Sequence, residues 1–286
     1  MSLWRGFDFR YGSNLLIVGV TLLAFLVGLG LEVADNDIAD AMSSAINLAA
    51  TVLLAWAVAR ELEPDRPQAA TGAILLAAAL WFALGPVHLA AVVLALFAAR
   101  ILVRSTGRPV TNVDIVVILA LALYASRTIT GWTAGLGVAY ALARDVRLPG
   151  PAPRHQRWVA FLTAIVATVG VFVRSPDLST SWSFLAILVV VVGVLAGMTA
   201  PVLALTSFDD IGREPLLPER VLSARRTLLV IAIFSAITGT SAVAGMGPLW
   251  SAMAVLPVVA LRTRPDAAHR ASSSPQTPPD GDPYGA

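Results

Sequence analysis

Three carboxylates fall within six residues at Asp35, Asp37 and Asp40, with Asn36 between the first two. Carboxylate oxygens are the ligands that a hard divalent cation prefers, and a cation held in this way can bridge phosphate oxygens. A second acidic group, Asp209, Asp210 and Glu214, lies far along the chain, and the two could serve one diphosphate only by facing a shared cavity. A different chemistry attaches to polar residues set at the margins of apolar runs: Asp114, Asn112, His88, Asn47 and Arg100. Ionisable groups within a membrane mark substrate or ion pathways by default, so these five are the candidate polar pathway. Asp114 heads the set, with Arg100 or Arg104 as its expected partner. The plainer reading makes them interfacial or capping residues.

The run Asp35-Asn36-Asp37-Ile38-Ala39-Asp40 resembles the Asn-Asp-x-x-Asp segment of the intramembrane prenyltransferases, as do chain length and span number. That resemblance implies carboxylates holding magnesium against a diphosphate at a site toward the cytoplasm. Ser44 stands where a fourth acidic residue is expected. The plainer reading is a solvated loop, with Asp40 or Ser43 near the start of the second helix.

Other chemistries are excluded more simply. Without cysteine there is no disulfide, thiolate metal site or cysteine nucleophile. The three histidines, His88, His155 and His269, are too scattered to form a ligand set by local spacing. Neither a phosphate-binding loop, nor a His-Glu-x-x-His zinc pair, nor a Gly-x-Ser-x-Gly elbow occurs. No cofactor, metal or nucleic-acid partner is expected, because the arginines are those that any polytopic membrane protein places beside its cytoplasmic loops.

The elements that must position these residues are set by composition. Of 286 residues, 57% are hydrophobic and 13% charged, against roughly 25% charged in soluble domains. Long stretches carry no charge at all, so lipid must be the solvent for their surfaces. Runs near the roughly 17 to 25 residues that span hydrocarbon predict an all-α, polytopic transmembrane helical bundle of about ten spans. They lie near 14–33, 43–60, 68–84, 87–103, 111–126, 129–144, 157–174, 182–206, 226–244 and 247–262. Residues 1–13 are then a cytoplasmic segment, 14–262 the membrane domain, and 263–286 a disordered cytoplasmic tail rich in Ser, Pro, Asp and Gly. The run from Asn14 to Val33 is full spanning length and is read as the first span, with no signal peptide expected.

Arginine placement orients this array. With both termini in the cytoplasm, every basic residue except Arg127 and Arg174 falls on the cytoplasmic side, as the excess of positive charge requires. Trp81, Trp132, Trp158, Trp182 and Trp250 fall at predicted helix ends, where they are expected to anchor at the headgroups. Seven spans separate the two acidic clusters, which puts them on opposite faces and argues against a joint diphosphate site. Helices ending at Arg60, Arg100 and Arg144 share an alanine five residues before the arginine, the mark of a repeated two-helix hairpin or simply of the cytoplasmic interface. Five-plus-five inverted halves would suit a transporter. Small residues at four-residue spacing, Gly131 with Gly135 and Gly193 with Gly197, predict close helix packing.

The function expected from these features is a permease or flippase-like carrier of a small or lipidic uncharged substrate in the cytoplasmic membrane. A non-catalytic scaffold or subunit of a membrane complex is the alternative, and a prenyltransferase-like enzyme the third. The bilayer itself is the one partner the sequence demands.

Overall fold

The computed structural model describes residues 12–33, 37–150, 152–153, 155–174, 180–201, 205–209 and 214–258. The expected segments 1–13 and 263–286, together with Asp35, Asn36 and Asp210, lie outside them, apart from Gly12 and Ser13. The described chain is all-α: α1 (Gly12–Glu32), α2 (Ile38–Leu62), α3 (Pro67–Leu84), α4 (Leu89–Val103), α5 (Asn112–Ala125), α6 (Ile129–Asp145), α7 (Gln156–Arg174), α8 (Phe184–Thr199), α9 (Pro218–Ala236), α10 (Thr240–Gly245) and α11 (Gly247–Val258). Among the described residues, pairing of strand type is confined to the isolated bridge between Phe208 and Pro215.

Four stretches, Asn14–Glu32, Ile38–Leu62, Pro67–Leu84 and Gln156–Val173, are long and apolar enough to cross a membrane. Others are apolar but shorter. At 1.5 Å per residue a 15-residue helix such as α4 covers about 22 Å, less than the roughly 30 Å of hydrocarbon. α4 tolerates this because protein encloses it: it packs against α2, α5, α6 and α9, and from Leu94 to Val103 every residue is buried. The lipid-type surface belongs to the periphery. Leu22 and Leu23 on α1, Phe161 and Phe172 on α7, and Phe184 on α8 are all exposed, which water would penalise and hydrocarbon does not.

Interhelix bonds at each end show that α2, α4, α6 and α8 run in one direction and α9 in the other. At one end Glu61 of α2 meets Arg100 of α4, Arg104 after α4 meets Asp145 of α6, and Asp65 between α2 and α3 meets Ser207 before α9. At the other end Asn47 of α2 meets Val87 before α4, Thr133 of α6 meets Ser235 of α9, and the Thr240 amide donates to the Ser181 carbonyl before α8.

Several boundaries depart from the sequence reading, and those of the last helices matter most for packing. α9 begins at Pro218 and not near residue 226, so Arg220, Arg225 and Arg226 lie within the helix. Proline at the first helical position supplies a fixed φ and lacks only an amide that would have no partner there. The last helical pair is correspondingly earlier, with the turn at Gly239, whose φ is 95°. The segment from Thr240 is broken at Met246 because Pro248 has no N–H to offer the Ala244 carbonyl and its ring would collide with that group. The Gly245 carbonyl instead accepts from the His88 amide at 3.1 Å. Trp250 therefore sits inside the bundle, 1% exposed against Gly193, and not at the headgroup level expected for it.

The glycine spacing has the packing role expected of it. A Cβ on Gly193 would lie 2.5 Å from the Trp250 ring, and one on Gly135 would lie 2.9 Å from the Ala167 side chain of α7. Gly131 is tighter still, because the atom it would strike, at 1.9 Å, is the backbone oxygen of Ala125.

Candidate functional site

Acidic residues in the last turn of a helix oppose the helix dipole and are favourable only when cations meet them. Glu61 is the penultimate residue of α2 and Asp145 the last of α6, and both are buried. Asp145 receives Arg104 through two nitrogens, Nε at 3.1 Å and Nη2 at 2.9 Å. It also accepts from Arg220 Nη1 at 2.8 Å and Gln156 Nε2 at 2.9 Å. Arg220 spends its remaining donors on the carbonyls of Leu102 and Pro149. One carboxylate thus joins the ends of α4, α6, α7 and α9.

Beside it lies a second group. Glu61 accepts from Arg100 Nε at 3.0 Å. Glu63 takes Arg66 at 3.1 Å and Arg225 of α9 at 2.8 Å, and Arg225 also reaches the Ala200 carbonyl. Burial pushes the Glu63 carboxyl up from its usual range although both guanidinium groups oppose that shift. Asp65 accepts from the amides of Thr206 and Ser207 at 2.7 and 2.8 Å and from the Ser207 hydroxyl. Partial burial raises the Asp65 carboxyl, but these hydrogen bonds together outweigh it and hold the group below the ordinary value of 3.8. The segment from Glu61 to Pro67 is thus a hub of interhelix bonds.

Against this end opens a lateral groove of about 690 Å³ between α6 and α9. Its walls are apolar for most of their length: Trp132, Leu136 and Tyr140 on one side, Val230, Ile231 and Phe234 on the other. Arg144, Glu219, Ser223 and Arg226 form its polar end, next to the buried network. From Trp132 to Arg144 the rise is about 18 Å, the reach of a fatty acyl chain. Tyr140, Val230 and Phe234 are each more than half exposed, so the groove faces sideways, toward the surface that hydrocarbon would cover. The approach of α6 to α9 below it is set by Gly137, where a Cβ would lie 2.2 Å from Ile231.

No family model, no curated protein and no solved structure matches this chain.

The residues chosen from sequence fall into two sets at opposite ends of the bundle. Asn47 and His88 lie at one end. Asn47 Oδ1 accepts from the Trp81 indole at 2.8 Å and the Val87 amide at 2.9 Å, while its Nδ2 donates to the Val87 carbonyl at 2.9 Å. It clamps the turn between α3 and α4. His88 precedes α4 with its ring against Gly245. At the other end, Asp114 closes a capping box with Thr111, accepting from the Thr111 amide at 2.9 Å, and Asn112 is the first residue of α5. Arg100 engages Glu61, and Arg104, offered as a partner for Asp114, is held by Asp145. The twelve residues from His88 to Arg100 correspond to about 18 Å of helix rise between the two sets.

Of the two acidic clusters, the described members Asp37 and Asp40 lie at one end of α2, and Asp209 and Glu214 lie beyond the other. Asp37 stands at the N-cap position of α2 without a side-chain cap bond, and Asp209 lies in the connection that meets Asp65, beyond the far end of α2. With 25 residues in α2 the separation along the axis is about 37 Å. Asp37 is the N-cap, so the helix starts before the Asp40 or Ser43 positions considered from sequence. Among the described residues no group of three or more His, Asp or Glu side chains is arranged to hold a metal ion.

Proposed function

We propose that this chain is a polytopic carrier of flippase type, which admits an amphiphile sideways from the bilayer into the groove between α6 and α9. The segments cross the membrane ten times, α10 and α11 together forming the last crossing, with the arginine-rich end and both termini in the cytoplasm. The common direction of α2, α4, α6 and α8 against α9, the apolar outer faces and the collection of arginines at one end support that topology. The cytoplasmic membrane is the location it fits.

The groove carries the reading. An enclosed polar cavity would suit a water-soluble solute, whereas a slot open to the side, apolar for about 18 Å and polar at one end, suits a molecule with a chain and a headgroup. The purified chain in proteoliposomes should transfer a fluorescent phospholipid between leaflets, as read by quenching from outside. Val230→Trp, which fills the slot from an already exposed position, should reduce transfer to the level of empty liposomes. Equal transfer by the variant would refute the assignment.

The scaffold reading draws on the same exposed side chains, since Tyr140, Val230 and Phe234 could seat the helix of a partner. A stoichiometric partner in native membranes, protecting a cysteine placed at Val230, would favour it.

A further inference from the structure

We infer that the groove takes an anionic phospholipid, its phosphate between Arg144 and Arg226 and its chain directed toward Phe234; the inference rests on the groove being an amphiphile site. The supporting contrast is in how the arginines of this end are used. Arg66, Arg100, Arg104, Arg220 and Arg225 are each matched to a carboxylate. Arg108, Arg144, Arg147, Arg157 and Arg226 form no ion pair with a described residue, and of these Arg144 and Arg226 line the mouth of the groove, one from each wall.

The mouth also holds Glu219, so its formal charge is one positive, from two arginines and one glutamate. That balance favours an anion and disfavours a headgroup that is itself cationic. Guanidinium groups present paired donors that match phosphate oxygens, and the hydroxyl of Ser223 stands beside them. Beyond this mouth the walls turn apolar within one to two helical turns, at Tyr140 and Val230, so a free phosphate would leave most of the groove without a partner. A phosphodiester attached to a hydrocarbon chain fills both parts.

Native mass spectrometry of the full chain tests this with phosphatidylglycerol and phosphatidylcholine of identical chains, with and without excess inorganic phosphate. Phosphatidylglycerol should be retained preferentially. Each of Arg144→Gln and Arg226→Gln should lower that preference about fivefold, the equivalent of roughly 1 kcal/mol for a basic residue at an anionic lipid surface. Arg144→Lys with Arg226→Lys should keep most of it, which separates loss of charge from loss of fold. Displacement of the lipid by phosphate alone, or an undiminished preference in the double glutamine variant, would overturn the inference. Failure of the underlying groove reading looks different: Val230→Trp would then leave the binding of both lipids unchanged.

Discussion

Replacing Asp145 by asparagine keeps the shape of the side chain and removes its charge. The carboxylate is 2% exposed and accepts four hydrogen bonds, two from Arg104 and one each from Arg220 and Gln156. Arg220 is 3% exposed, so the variant leaves a guanidinium group enclosed by protein with only neutral acceptors. Removing one partner of a buried ion pair costs about 3 to 5 kcal/mol, whereas an exposed pair is worth about 0 to 1 kcal/mol. Against total stabilities of roughly 5 to 15 kcal/mol, the expected loss is a large fraction. It also loosens the junction that holds α6 beside α9, and with it the groove. Unfolding of the detergent-solubilised chain by increasing sodium dodecyl sulfate, followed by tryptophan fluorescence, reads the change. Combining Asp145→Asn with Arg220→Met should cost less than the sum of the single variants, because the more deeply buried of the two stranded guanidinium groups is gone. A single-variant loss below about 1 kcal/mol, or strict additivity in the pair, would refute the claim that this network is a buried structural joint.

Further expectations concern other parts of the bundle. Asn47→Ala strands the Trp81 indole and both polar groups of Val87, so it should cost about 2 to 3 kcal/mol in the same assay, near the scale of leaving buried polar groups unpaired. Gly131→Ala should destabilise by about 1 to 3 kcal/mol, since the atom in its way is the Ala125 backbone oxygen and cannot swing aside. Asp65, whose folded carboxyl lies below 3.8, contributes stability that is present above that pH and is lost as pH falls through the folded value. Wild type should therefore lose more stability on acidification below 3.8 than Asp65→Asn does, and parallel acid profiles would contradict the role of this carboxylate.

Most of the helices were legible because apolar length is a local property. α1 at Gly12–Glu32 and α7 at Gln156–Arg174 start and stop within two residues of the runs that predict them. α8 stops at Thr199 ahead of Pro201, a boundary that the unbroken apolar run to residue 206 conceals. α9 was misplaced for a physical reason. Three arginines in its first half mark a loop when charge is assumed to face water, yet Arg220 and Arg225 are neutralised by Asp145 and Glu63, 75 and 162 positions away. Nothing local reveals such partners.

A signal was nevertheless present at the other half of each pair. Glu61 and Asp145 occupy helix C-termini, where the dipole disfavours them, and each sits next to an arginine. Acidic groups in so unfavourable a place imply cations brought from elsewhere. The capping box at Thr111 and Asp114 was legible in the same way, as Thr-x-x-Asp before an apolar run. The groove was not, because Leu136, Tyr140, Val230 and Phe234 look like any other lipid-facing residues until α6 and α9 are set side by side.

In a membrane, an anionic phospholipid fills the groove between α6 and α9 if its assigned role is right. Cryo-electron microscopy of the chain in nanodiscs containing phosphatidylglycerol should show tubular density along Leu136, Tyr140, Val230 and Phe234, ending in a headgroup at Arg144 and Arg226. A groove closed by contact between α6 and α9, or occupied by a protein helix, would contradict it.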